Sequence, residues 1–272
     1  MKKLLFLFLG VAMGLSVAAQ GPSVMVIPFD PDMYFSDSDQ GLADYNKLNV
    51  KEVRQQFRYG LNMNLNARIL SAHNTKTMLT DTTADLAKDL YSIYKGISYF
   101  SDKSMASSSV TGEDPEPTGK GIIGGVFKKN TNNKGQDNAS NSKSSNQIEA
   151  RNYMNVKIHN VAMLEYLHNK YGTEVFLFIN QFNLVTNFEH CLDRANNVFE
   201  REVMIHFSVF DYTGKQIAGD VAIVNLPSNN NNLDLIIKEK FPVIADYIKG
   251  QLPHNSTIGN DAVAPNSMIK QD

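Results

Sequence analysis

A polar stretch from Ser101 to about Asn146 divides the chain, and that division constrains the fold more than any other feature. Ser, Asn, Thr, Gly and Lys dominate it, and its apolar residues cluster in Gly121-Ile122-Ile123-Gly124-Gly125-Val126-Phe127. Such a composition cannot bury enough apolar surface to offset the entropy of ordering, so residues 101–150 are expected to form a disordered polar insertion. Any core must then be assembled from two blocks, 20–100 and 151–252, followed by a flexible tail over 253–272.

Both blocks alternate strand and helix signals. The run Val24-Met25-Val26-Ile27-Pro28-Phe29 predicts a strand buried on both faces. Asn49 is placed to cap a helix reaching about Ala72, with Val50, Val53, Phe57, Leu61, Leu65 and Ile69 on one face and Arg54, Arg58 and Arg68 left in solvent. A short strand is expected over 75–79. A second helix should open at Asp81 or Thr82, carry Leu86, Leu90, Ile93 and Ile97, and end near Gly96.

Beyond the insertion, residues 153–158 predict a strand, and Asn160 caps a helix that Gly172 stops. Glu174-Val175-Phe176-Leu177-Phe178-Ile179 is the strongest buried-strand signal, extending toward Thr186, with a polar stretch over 187–197 after it. Period-two alternation from Phe199 to Val209, the turn Asp211-Tyr212-Thr213-Gly214-Lys215 and the return over 216–224 predict a hairpin, with Gly214 supplying a positive φ. A last helix holds Leu233, Ile236, Ile237, Ile244 and Ile248, and Pro242 is expected to kink or divide it. This order predicts an α/β class: a single three-layer-like domain with a central mixed sheet, helices packed on it and a long disordered insertion.

The first residues set an expected address. Met1-Lys2-Lys3 precedes an apolar run, and small residues close the segment at Val17-Ala18-Ala19. That pattern is a secretory signal peptide over 1–19, cut after Ala19, which predicts a periplasmic protein. The apolar run is short of the roughly 20 residues a membrane-spanning helix needs, and no later stretch reaches that length. Cys191 is the only cysteine, so no lipid can be attached at the cleavage site, and no internal disulfide can form. With 26 basic against 28 acidic residues there is no surplus to neutralise phosphates, and nucleic-acid binding has no electrostatic support.

The element order resembles small periplasmic α/β domains of the TolB N-terminal, LpoB and CsgG type. The likeness is carried by Val24 to Phe29 with its following helix, by Tyr171-Gly172-Thr173-Glu174-Val175-Phe176-Leu177-Phe178, and by Phe210-Asp211-Tyr212-Thr213-Gly214-Lys215. The alanine-then-glutamine end of the leader is similar to signals common in the Bacteroidetes. The resemblance implies an adaptor that works by binding proteins of the envelope, and it transfers no site.

Few residues point to chemistry. Asp30, Asp32, Tyr34, Asp37 and Asp39 form the candidate ligand loop after the first strand, and an oxygen-rich loop can hold Ca²⁺. Asp37-x-Asp39-x-Gly41 nevertheless lacks the third acidic position and closing Glu of a helix–loop–helix calcium site, so a solvated loop is the expectation. Gly119-Lys120 has the wrong spacing for a phosphate loop. His190 and Cys191 are neighbours in sequence, and neighbours on a loop seldom face each other as base and nucleophile must; the other histidines show no metal-ligand spacing. No catalytic, metal or cofactor site is expected. Ile122, Ile123, Val126 and Phe127 are candidates for docking a partner. The predicted function is that of a non-enzymatic periplasmic interaction protein in outer-membrane assembly, secretion or cell-wall maintenance. The alternative is a small-ligand-binding module or hydrolase using the loop after the first strand.

Overall fold

The computed structural model describes residues 21–79, 83–104 and 152–254. The leader, the docking candidates Ile122, Ile123, Val126 and Phe127, and the tail lie outside the described residues.

One mixed sheet joins the two blocks. Its strands are β1 (Gly21–Ile27), β2 (Tyr34–Ser36), β3 (His73–Thr77), β6 (Val175–Asp193), β7 (Val198–Asp211) and β8 (Gln216–Pro227). They run in the order β3-β1-β6-β7-β8, with β2 prolonging the β1 position along β6. β1 lies parallel to both β3 and β6, whereas β6, β7 and β8 are antiparallel. The expected α/β architecture with a mixed sheet and packed helices is the observed one. The strand from the second block therefore sits at the centre, flanked by a strand from the first.

Helices cover one face and a composite layer covers the other. On the first face lie α1 (Asp39–Asn46), α2 (Val50–Ile69) and α5 (Leu233–Lys249). Phe57, Leu61 and Leu65 of α2 meet Phe241, Ile244 and Ile248 of α5 over Val24, Leu177, Ile205 and Val224. Asn49 and Glu52 form a capping box at the start of α2, each side chain accepting the other's backbone N–H. Pro242 lies inside α5, which continues as one helix rather than dividing.

The second face carries α3 (Ala84–Gly96), α4 (Ala162–Tyr171) and a ribbon of β4 (Ile97–Lys103) paired antiparallel to β5 (Asn152–Ile158). β5 does not join the central sheet, contrary to the simple alternation. The composition shift places the start of the insertion at Ser101, but β4 continues through Lys103 because Ser101 and Asp102 pair with Met154 and Tyr153. Cross-strand pairing, not burial, holds these polar residues in strand form.

A buried polar network fastens that ribbon to the sheet. Asn155 Nδ2 donates to Asp102 and to Gln216, and its Oδ1 accepts from Ser208 Oγ at 2.6 Å. Asn180 Nδ2 donates both to the Met154 carbonyl and to Ser208, each at 2.7 Å. The Met154 N–H donates to His206 Nδ1 at 3.0 Å. Sequence alternation puts His206 and Ser208 on the polar side of their strand; both are buried because β5 covers that side.

Tyr153 completes the contact by lying directly over Gly219 of β8. A Cβ there would fall inside the tyrosine hydroxyl and 2.6 Å from Gln216 Nε2. Tyr153 is almost fully buried and cannot swing away, so Gly219→Ala is expected to cost about 1–3 kcal/mol through overpacking. Urea unfolding checks this, and an unchanged midpoint would show that β5 does not press on β8.

Candidate functional site

At the C-terminal end of β1, where α/β sheets commonly receive ligands, a cleft of about 390 Å³ opens between the loop, α2 and α3. Asp30 and Asp32 from the loop, Arg58 from α2 and Tyr91, Tyr94 and Lys95 from α3 line it. Asp30 Oδ1 accepts the Asp32 N–H and so caps the 3₁₀ turn Pro31–Met33. Arg58 Nε donates to the Phe29 carbonyl at 3.0 Å, and Nη2 donates to Tyr94 Oη at 2.7 Å. Tyr94 Oη in turn donates to the Pro28 carbonyl at 2.8 Å. Burial drives the Tyr94 hydroxyl well above the usual tyrosine range, so it stays protonated and donating.

The remaining residues of the acidic loop go elsewhere. Tyr34 is buried and donates to Asp39 at 2.6 Å, while Asp39 pairs with Arg54 at 2.8 Å. Asp37 accepts from the Thr186 N–H at 2.7 Å and from Ser38 Oγ, which ties β6 to the start of α1. The Pro, Gly and Asp content predicts a solvated, irregular loop; the structure instead forms β2 and α1 there. Of its five candidates the structure brings only Asp30 and Asp32 together at the cleft. Among the described residues no group of three or more His, Cys, Asp or Glu could hold a metal ion.

Falling off the apolar stripe of α2 assigns Arg54 and Arg58 to solvent. Arg54 is exposed as expected, although it lies over the Tyr34 ring and pairs with Asp39, whereas Arg58 is half-buried over Phe29 and tied by the hydrogen bonds above. No sequence pattern singles out Tyr91, Tyr94 or Lys95. Tyr91 and Lys95 stand four residues apart, a spacing that puts them on one helix face, with Lys95 Nζ 5.5 Å from the Tyr91 ring centre. That spacing alone cannot say what the face overlooks.

A second feature is the distal half of β6 and β7. The sequence over 187–197 reads as a polar loop, yet residues 187–193 continue β6 as a ribbon with β7. β2 stops at Ser36, opposite Leu184, and β8 stops at Pro227, opposite Glu200. Past those points the ribbon has no further strand partner among the described residues. It carries apolar side chains into solvent: Phe188 is 69% exposed, and Val185 and Leu192 are exposed as well. Phe188 stacks edge-on against Phe199 at 5.3 Å, which holds the ring in place.

The ribbon also separates His190 from Cys191. His190 Nδ1 contacts Glu200 at 2.6 Å, whereas Cys191 Sγ faces the Val198 carbonyl at 3.6 Å. Neither acts on the other. The other described histidines with partners are structural: His73 Nδ1 contacts the Pro22 carbonyl, His168 stacks on Tyr212, and His206 anchors β5. The chain matches no protein-family model, no curated protein and no solved structure.

Proposed function

We propose that this is a non-enzymatic interaction protein of the cell envelope, exported to the periplasm, which works by contact with other envelope proteins. The β6–β7 ribbon is the observation that carries the reading. An extended, two-stranded ribbon with an open edge and exposed apolar side chains suits a partner that adds a strand and seats alternate side chains on it. Edges of this kind invite indiscriminate pairing unless they are short or charged. Here Glu189, Asp193 and Arg194 stand around the apolar residues, which supports a selective contact over aggregation. The resemblance to periplasmic binding domains and the basic-then-apolar leader agree with the address.

Phe188→Asp is the test. The side chain is exposed, so folding stability should change by no more than about 0.5 kcal/mol. Crosslinking in intact envelopes of the source cell should capture a dominant neighbour with the wild-type chain, and the variant should lose most of that product. Equal capture by both, or no neighbour for either, would remove the ribbon from the function.

A further inference from the structure

The cleft at the end of β1 has an unusual charge arrangement. Two carboxylates, Asp30 and Asp32, face a cavity that also receives the cations of Arg58 and Lys95. Ion pairs among the described residues join Arg54 to Asp39, Arg68 to Asp246 and Lys170 to Asp89, and His190 contacts Glu200. None of the four cleft charges takes part in one. Opposite charges that share a cavity without closing on each other leave both signs available to a third party.

Arg58 and Asp30 are also held in place. Arg58 spends Nε and one Nη2 hydrogen on Phe29 and Tyr94, which fixes the guanidinium plane and leaves its Nη1 hydrogens unengaged. Asp30 spends one oxygen on the Asp32 N–H, which fixes the Asp30 carboxylate at the head of the 3₁₀ turn. Tyr91 and Tyr94 add aromatic surface to the lining.

We infer that this cleft binds a small zwitterion: an amino acid or a short peptide of two or three residues with both termini unblocked. Its carboxylate lies on Arg58 and Lys95, and its ammonium lies on Asp30 and Asp32. A ligand with a single charge would meet two like charges, whereas one that carries both signs can be satisfied by the two pairs. The volume falls within the roughly 300–1,000 Å³ range of small-molecule sites and accommodates a tripeptide backbone. Planar bidentate capture of a carboxylate is what a fixed guanidinium does better than an ammonium.

The experiment is calorimetric titration of the full mature chain with unblocked amino acids and with trialanine, beside N-acetylated and C-amidated trialanine. At least one unblocked compound is expected to bind, and blocking either terminus should weaken it about tenfold or more. Asp32→Asn and Lys95→Met alter exposed side chains and leave the fold intact, and each should weaken the unblocked compound by a similar factor. Arg58→Lys keeps the charge but loses the fork and should do the same. Equal affinity for blocked and unblocked trialanine would overturn the inference, as would the absence of heat from every unblocked compound at about 10 mM. Undiminished binding by both Asp32→Asn and Lys95→Met would place the ligand elsewhere.

Discussion

Phe182→Ala is expected to lower the stability of this protein by about 4 kcal/mol, in the middle of the range for truncating a buried aromatic ring. The ring is fully buried where β6 pairs with β2. It stacks on Tyr34 at 5.0 Å and meets Phe57 at 5.2 Å, Phe29 at 5.6 Å and Phe241 at 6.3 Å. Those rings come from β2, α2, the loop after β1 and α5, so one side chain joins four elements from both blocks. Removing it takes away the transfer energy of the ring and leaves a cavity that stiff aromatic neighbours cannot fill. For a domain of this size the melting temperature should fall by roughly 10 °C. Differential scanning calorimetry decides the matter, with Phe188→Ala as an exposed control that should melt like wild type. A loss below about 1 kcal/mol would mean that the two blocks are not joined through this cluster.

The second large effect is a loss of stability in mild acid that originates at His206. Burial pushes its pKa down from 6.5 to about 4, with Asp220 pulling weakly in the other direction. Geometry agrees, since Nδ1 accepts the Met154 N–H and cannot take a proton without opposing that donor. The folded state therefore prefers the neutral ring. Above about pH 6.5 both states are neutral and the group contributes nothing to the pH dependence. As the pH falls from 6.5 toward 4 the unfolded chain takes up a proton that the folded chain refuses, and stability drops by about 3 kcal/mol. Below 4 the loss levels off. His73 is also lowered by burial and acts with the same sign, so the comparison with a variant isolates His206. Urea midpoints at pH 7 and pH 4.5 should differ much less in His206→Gln than in wild type. An equal slope in both proteins would show that the ring is not held as an acceptor. Hydrogen exchange should locate the weakened region at β5, whose attachment to the sheet depends on this ring and on Asn155, Asn180 and Ser208.

Much of the architecture is readable because periodicity reports burial. The stripe of α2, the continuous run at the start of β6 and the turn at Gly214 each meet the expected structure, with φ of 86° at that glycine. What escapes are elements whose residues carry no such signal. β2 is three residues long and exists because it pairs with β6 at Phe182, Asn183 and Leu184. β4 and the far half of β6 are polar strands whose partners lie about fifty and ten residues away in sequence. The partner of β4 lies outside any local window, and in the far half of β6 the polar composition masks a partner that is near in sequence.

The candidate sites show the same division. Asp30 and Asp32 can be named from composition, but Tyr34, Asp37 and Asp39 belong to the same acidic loop and perform structural work. Arg58 reads as solvated because helical spacing orients a side chain relative to its own helix, not relative to the next element along. The exposed ribbon with Phe188 is hidden by its polar neighbours.

Composition and periodicity by themselves determined the class of this protein, two blocks of strand and helix sharing an apolar interior, because burial on a helix or strand imposes a repeat that any short window reveals. Only the tertiary structure decided that β6 lies between β1 and β7, that β5 leaves the sheet to form a ribbon with β4, and that four unpaired charges meet at one cleft. Those outcomes depend on contacts between residues far apart in the chain, and their free energy is realised only when both partners are already in place.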